Sequence, residues 1–451
     1  MDDLPNEVLS HILSYLLTER EKSRLREDWI DAILPARLQS ENTIEDEFAS
    51  WHQLLETESI RNAVRRVAIE TAPWDDYQDD GDISPWPKSW LVRGDWPEFE
   101  SAINRICDMP YLDCLEVRFS SLCLSEEYPE AVFEPTATRH RTLEIISNAL
   151  RDRESRPNRS IVRGLVLNDL EDVPLPQDLT NNLLQKIERL HMFFAYEDGQ
   201  REKPEFSRYL QGNLLPSVAE RVVELTLTGD VWGALPNEFN CRGLLFPCLK
   251  RLTLDYYIIL RKDQFDWVLN QNSLVDLKLY SCAIATHCFV DPPEYQNWGV
   301  NLYGWQKMVD LRSDADLSKH PLVAGTSQFG ALQYDIGWYV SGLRWATMFD
   351  RIREKMPQLR NFSFENTAWG IYFQGYARGP DKDPLSGRYR TFDEFWCNRP
   401  YDPVTAPTVS GLFDENAPSS PVNLYARTET ADREALERLT EQTRRRRLGE
   451  E

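Results

Sequence analysis

No run of about eighteen apolar residues occurs in these 451 positions, so a membrane-spanning helix is not expected. Positive charge is in deficit: 51 Lys and Arg stand against 73 Asp and Glu, a net charge of −22. That balance argues against broad binding to nucleic-acid phosphates and against anionic membrane surfaces, both of which need cations. Cysteine is sparse. The eight, at 107, 114, 123, 241, 248, 282, 288 and 397, form no Cys-x-x-Cys pair. Reduced, buried thiols are therefore expected rather than a disulfide framework, with Cys248 and Cys282 in apolar, strand-like contexts. A secretory leader is not expected either, because Asp2, Asp3 and Glu7 stand where its positive charge would be. These absences together point to a cytoplasmic or nuclear protein.

The sequence also lacks the patterns that carry common chemistries. Gly-x-Gly-x-x-Gly, Gly-x-x-x-x-Gly-Lys-Ser/Thr, Gly-x-Ser-x-Gly and His-Glu-x-x-His are all missing. His287 and Cys288 lie near Cys282, but adjacent ligands suit a tetrahedral zinc poorly and no second pair completes the set. Counted as a calcium loop from Asp76, the acidic stretch puts Gly81 at position six but Pro87 where a bidentate Glu is required. No catalytic residue, metal or cofactor is expected. An enzyme with an unrecognised site stays behind two binding readings, and perturbed ionisable groups in a deep cleft would revive it.

What is present is enough apolar material for a core: 41% hydrophobic and 11% aromatic residues. The length suits about three domains or one repeat array. At the start, Pro5 can open a helix and Glu7 falls in its first turn, where the dipole favours negative charge. Val8, Ile12 and Leu16 form one i,i+4 row, and Leu9, Leu13 and Leu17 form a second beside it. Two rows on so short a helix exceed what one neighbour covers, so the spacing predicts an apolar strip for a partner. The charged run 18–28 interrupts the pattern, and Trp29, Ile30, Ile33 and Leu34 resume it.

The order Leu4-Pro5-x-Glu7-Val8-Leu9-x-x-Ile12 resembles the first helix of an F-box. The resemblance implies a helical module over about 1–50 that docks on a Skp-type adaptor of a cullin-based ubiquitin ligase. Leu4, Pro5, Val8, Ile12 and Leu16 match the adaptor-contacting face. Residues 18–50 carry no comparable match.

The middle of the chain repeats itself. Hexads of the form φ-x-x-φ-x-φ recur with their fourth position at Leu115, Leu165, Leu190, Leu225, Leu252 and Leu277, spaced 50, 25, 35, 27 and 25 residues apart. Further copies are Val64–Ile69 and Leu359–Phe364. The closing φ-x-φ is strand alternation. Helical patterns lie between copies, at 97–109, 139–152 and 263–269. Strand then helix, at a period near 25, resembles an irregular leucine-rich repeat of the F-box-associated kind. The polar residue that follows the strand in regular repeats has counterparts only in Asn168 and Cys282.

The expected fold is thus α/β: a short N-terminal helical module, then over 51–370 a leucine-rich-repeat-like solenoid with a mostly parallel, curved sheet, its strands joined by crossovers too long for hairpins. Two stretches break the array: the acidic, Trp-rich 74–96, and 285–337, an aromatic loop expected over the concave face. Residues 371–451 are expected to be irregular, ending in a helix over about 430–447 whose four terminal Arg suit the dipole better than a nuclear address. The implied function is that of a non-catalytic substrate receptor. Trp298, Tyr303 and Trp305, beside exposed strand residues Thr226, Thr253 and Lys278, are the candidate contacts to an unknown protein substrate. The alternative is a repeat-type interaction scaffold whose first helix only caps the array.

Overall fold

Leu115, Leu165, Leu190 and Leu225 are direct partners across neighbouring parallel strands, and Val67 continues the row. This is the hexad's own logic. Side chains alternate between faces, so equal hexads put their fourth and sixth residues on one side of the sheet. All five side chains of that row are fully buried, as are Leu252 and Leu277. In the computed structural model the described residues are 30–35, 44–71, 86–120, 134–195, 204–233, 238–290, 301–307, 337–366, 383–392 and 421–450. The expected N-terminal helix, with Leu4, Pro5, Val8, Ile12 and Leu16, lies outside them.

The chain divides into two compact units, where one repeat region was expected over 51–370. The first comprises 1–230, 246–253 and 369–378, and the second 231–245, 254–368 and 379–451.

In the first unit, strands β1 (Ile30–Pro35), β2 (Val64–Glu70), β3 (Cys114–Arg118), β4 (Gly164–Glu171), β5 (Arg189–Ala195) and β6 (Glu224–Trp232) pair in that order, all in parallel. Crossovers carry the helices α1 (Ile44–Leu54), α2 (Glu58–Ala63), α3 (Lys88–Arg93), α4 (Pro97–Asn104), α5 (Thr136–Ser155), α6 (Gln177–Leu184), and α7 (Pro204–Tyr209), which runs through a π turn into α8 (Leu215–Val218). Helix α4 starts with Pro97 at its first position and Glu98 and Glu100 in its first turn, as the N-terminal rules expect. Within 74–96 the described tryptophans are core. Trp90 and Trp96 are buried against Phe99, with ring centroids 5.6 and 5.0 Å away, and Phe48 lies 5.4 Å from Trp96.

Regular repeats satisfy their loop carbonyls with a recurring polar residue. Helix α5 does this with buried arginines instead. Arg139 donates to the carbonyls of Glu134, Asp169 and Ser120 at 3.0, 2.6 and 2.7 Å, gathering the loops that follow β3 with the end of β4. About four turns later Arg153 donates to Ile106 at 2.8 Å, to Met109 at 2.5 Å and to Ser160 Oγ at 3.0 Å, tying the segments that precede β3 and β4. Burial lowers the pKa of Arg153 to about 10, which still leaves it charged at neutral pH.

In the second unit β9 (Ala283–Val290) has partners of both directions. The end of β7 (Arg251–Ile259) pairs with it in parallel, as does β13 (Tyr389–Phe392), while β11 (Gly337–Val340) is antiparallel and in turn holds β10 (Gln306–Lys307). Strand β8 (Asp276–Tyr280) pairs in parallel with β12 (Asn361–Glu365), placing Leu277 opposite Phe362 of the last hexad. The stretch read as an insertion therefore opens and closes as sheet, and β13 falls in the tail expected to be irregular. Helices α9 (Asp266–Leu269), α10 (Trp345–Lys355) and α11 (Pro421–Leu448) complete the unit. The last begins nine residues before the expected start.

Two features hold this unit's irregular backbone. Gly233 adopts φ +96°, and a Cβ there would meet the Tyr257 ring at 2.3 Å, so only glycine fits; Gln264 Nε2 donates to the Gly233 carbonyl at 2.6 Å. Arg388 and Asp432 form a fully buried pair, Nε to Oδ2 at 2.9 Å. Asp432 also accepts from Tyr389 Oη at 2.8 Å and from the Ala346 N–H at 2.8 Å, which ties β13 and the start of α10 to α11. The terminal arginines are used within this unit: Arg444 and Arg445 pair with Glu441, and Arg446 donates to the Met356 carbonyl at 3.0 Å.

Candidate functional site: the polar face of the first ladder

The hexad positions between the leucines point away from the core and line up across β2–β6. One register row reads Arg66, Cys114, Gly164, Arg189, Glu224; the next reads Ala68, Glu116, Val166, His191, Thr226. At the start of β7, Lys250 and Arg251 donate their N–H groups to the Val223 carbonyl at 2.8 and 3.1 Å, so Arg251 joins the first row beside Glu224.

Glu116 anchors the β2–β4 end. Only 4% of it is exposed. It accepts from Arg66, from Arg118 Nε at 2.7 Å and from Asn168 Nδ2 at 2.7 Å. Burial pushes its pKa up, but the guanidiniums of Arg118 and Arg66 outweigh burial and hold it below the ordinary carboxylate range. Arg118 also reaches Glu70 at 3.6 Å. Asn168, expected to act as the loop-binding residue of a regular repeat, serves this face instead.

The β4–β6 end depends on a missing side chain. Arg189 crosses β4 to reach Asp113 Oδ2 at 2.6 Å, and its path lies over Gly164. A Cβ on Gly164 would lie 2.9 Å from Cys114 Sγ and 3.1 Å from Arg189 Nη2. His191 Nδ1 is 2.8 Å from Thr226 Oγ1, and its Nε2 is 3.8 Å from Glu224. Burial lowers the pKa of His191, with Glu224 opposing and Arg66, Arg189 and Arg251 adding to the effect. The imidazole is therefore neutral at pH 7. Arg251 closes the row onto Glu224, Nε to Oε2 at 2.9 Å.

Each acid on this face has a guanidinium partner, so the strip is rigid and close to charge-neutral. It offers hydrogen-bonding edges. The Cys114 thiol is pushed up to about 11, by burial first, and stays protonated at neutral pH. Among the described residues no group of three or more His, Cys, Asp or Glu could hold a metal ion, and no helix is long and apolar enough to cross a membrane. None of the described cysteines is disulfide-bonded. Cys248, expected in a buried strand, is exposed, with Sγ 3.3 Å from the Glu220 carbonyl.

The structure places the sequence-derived candidates unevenly. Trp298 lies outside the described residues. Tyr303 is 84% exposed. Trp305 is half-buried and pinned, its indole N–H donating to the Leu260 carbonyl at 3.1 Å. Thr226, expected to be exposed, is buried, its hydroxyl taken by His191. Sequence reasoning missed Arg66, Glu116, Arg118, Arg189 and Glu224. Their signal was the charged x positions inside the hexads, and for Arg118 the position just after one, in a pattern used only for its leucines.

Perturbed acids also occur elsewhere, Glu134 sealed in the interior and Asp169 half-buried. Burial raises the pKa of Glu134, which accepts from Thr71 Oγ1 and from the Ser120 N–H, both at 3.0 Å. Burial likewise raises Asp169 to about 6. Both sit in the field of Arg139, among the loop carbonyls that it gathers.

Compared with models of protein families and with curated proteins, the chain matches none.

Proposed function

We propose that this chain is a non-catalytic substrate-receptor subunit of a Skp–cullin–F-box type ubiquitin ligase. In this reading Leu4, Pro5, Val8, Ile12 and Leu16 dock on the adaptor. The strand face that carries Glu116, Arg189 and His191 receives a protein substrate in the cytoplasm or nucleus, with Trp298, Tyr303 and Trp305 as further contacts. The receptor makes and breaks no bond itself. It raises the effective concentration of substrate beside the ligase.

The observation that carries the reading is the single-register parallel ladder, with one face sealed by leucine and the other set with fixed polar edges. A solenoid-like strand face suits extended protein surfaces better than small molecules. The N-terminal helix pattern supplies the ligase half of the proposal.

The test is capture of a purified Skp-type adaptor by the full chain. The wild type should retain the adaptor and Val8→Asp should lose it, with unchanged circular dichroism and thermal transition. Equal retention by both overturns the adaptor face. No retention by the wild type leaves the interaction-scaffold reading in its place.

A further inference from the structure

Asp255 lies on β7, and its side chain is sealed from solvent. No side chain donates to either carboxylate oxygen, and only the N–H of Tyr256, the next residue in the chain, eases the burial. The surrounding donors are committed to backbone. Trp232 Nε1 takes the carbonyl of Asp255 itself at 2.6 Å, and the Cys282 thiol takes the Leu254 carbonyl at 3.3 Å. The next residue, Tyr256, has φ 54°, the left-handed region that a bulky residue rarely enters. Strand β7 therefore breaks its alternation here, and Tyr257, Ile258 and Ile259 all follow buried.

The charged and titratable groups around Asp255 do not compensate it. Strand β9 brings Cys282, whose thiol is pushed up by burial first and by Asp255 after it. Strand β13 brings Arg390, which acts on that thiol. On β7 itself, Tyr257 turns its hydroxyl to the Phe239 carbonyl at 2.6 Å. An ionised carboxylate without a donor is among the costliest groups to bury, whereas the neutral acid is far cheaper.

We infer that the second unit holds Asp255 as the neutral carboxylic acid, so that the proton is a component of the fold and its loss to solvent weakens the β7 segment. The chemistry is a single ionisation: the O–H bond breaks, the electron pair stays on the carboxylate, and the proton goes to water. Burial pushes Asp255 up to about 8, against roughly 3.9 for an unfolded aspartate. Between these values the folded chain carries one proton more than the unfolded chain. Stability must then fall with rising pH over that window and level off above it.

Denaturant unfolding of the full chain should be followed from about pH 5 to about pH 9, beside Asp255→Asn and Asp255→Leu. Relative to either variant, the wild type's folded-to-unfolded ratio should fall about tenfold per pH unit up to about pH 8, then run parallel. Curves parallel throughout overturn the inference. Should neither variant fold, the wild type alone decides. Aspartate labelled with carbon-13 should show the infrared C=O stretch of a protonated acid at pH 7, lost above about pH 9, and absence of that band overturns the inference equally.

Discussion

The two units use the same hexads to different ends. In the first, β1–β6 pair only in parallel and nearly in one register, because each hexad is followed by a crossover that returns the chain to the start of the next strand. In the second, β9 takes β7 and β13 in parallel and β11 in antiparallel fashion. Its partners arrive from far along the chain, and direction follows from how each segment returns. Repetition specifies register where crossovers are local; elsewhere buried polar joints specify it. The Arg388–Asp432 pair with Tyr389 is such a joint, and nothing like a repeat announces it.

The contrast predicts where each unit breaks. Asp432→Ala leaves the Arg388 guanidinium buried without its main partner and orphans the Ala346 N–H and the Tyr389 hydroxyl. It should be the most damaging single change, about 3–5 kcal/mol in denaturant unfolding. A cost below about 1 kcal/mol would remove the polar joint from the account.

Leu190→Ala opens a cavity in the middle of the leucine row and should cost about 2–5 kcal/mol, read from the same transition. A much smaller value would mean that the row is not one continuous core.

Glu116→Gln keeps the shape but loses the charge that Arg66 and Arg118 face. A charge-assisted network of this kind supports about 1–3 kcal/mol at neutral pH. Because the folded pKa of Glu116 is depressed, its contribution is present above the unfolded value near 4.3 and is lost as pH falls through the folded one. The wild type should therefore lose its advantage over Glu116→Gln on acidification below about pH 4. An advantage that persists there would contradict the assignment.

Tyr303→Ser should leave stability within about 0.5 kcal/mol, since the ring touches little. A larger loss would show that the 301–307 turn is part of a core.

The legible part of the fold was the part written in a repeated pattern. Leu115, Leu165, Leu190 and Leu225 could be aligned by spacing, and they meet in register. Helices α4 and α5 showed through their apolar positions Phe99, Ile103, Leu143 and Ile146, all buried. What stayed hidden depends on approach rather than pattern. The role of Gly164 comes from the close approach of Cys114 and Arg189, and the clamps of Arg139 and Arg153 are made with loop carbonyls, which leave no trace in residue type. The tryptophans near 90 looked like a surface loop because their acidic neighbours dominate the composition, yet Trp86, Trp90 and Trp96 are core.

The register of the first unit is the claim on which the polar face depends, and paired cysteines test it directly. Val166 and His191 are register partners on that face, whereas Met192 belongs to the opposite, buried face. Cross-linking by a short bis-thiol reagent, mapped by mass spectrometry, should join positions 166 and 191 in Val166→Cys/His191→Cys. It should fail to join 166 and 192 in Val166→Cys/Met192→Cys. The reverse outcome would mean that β5 is slipped by one residue, which turns Arg189 and His191 away from Glu116 to the opposite face and breaks the surface proposed to receive a partner.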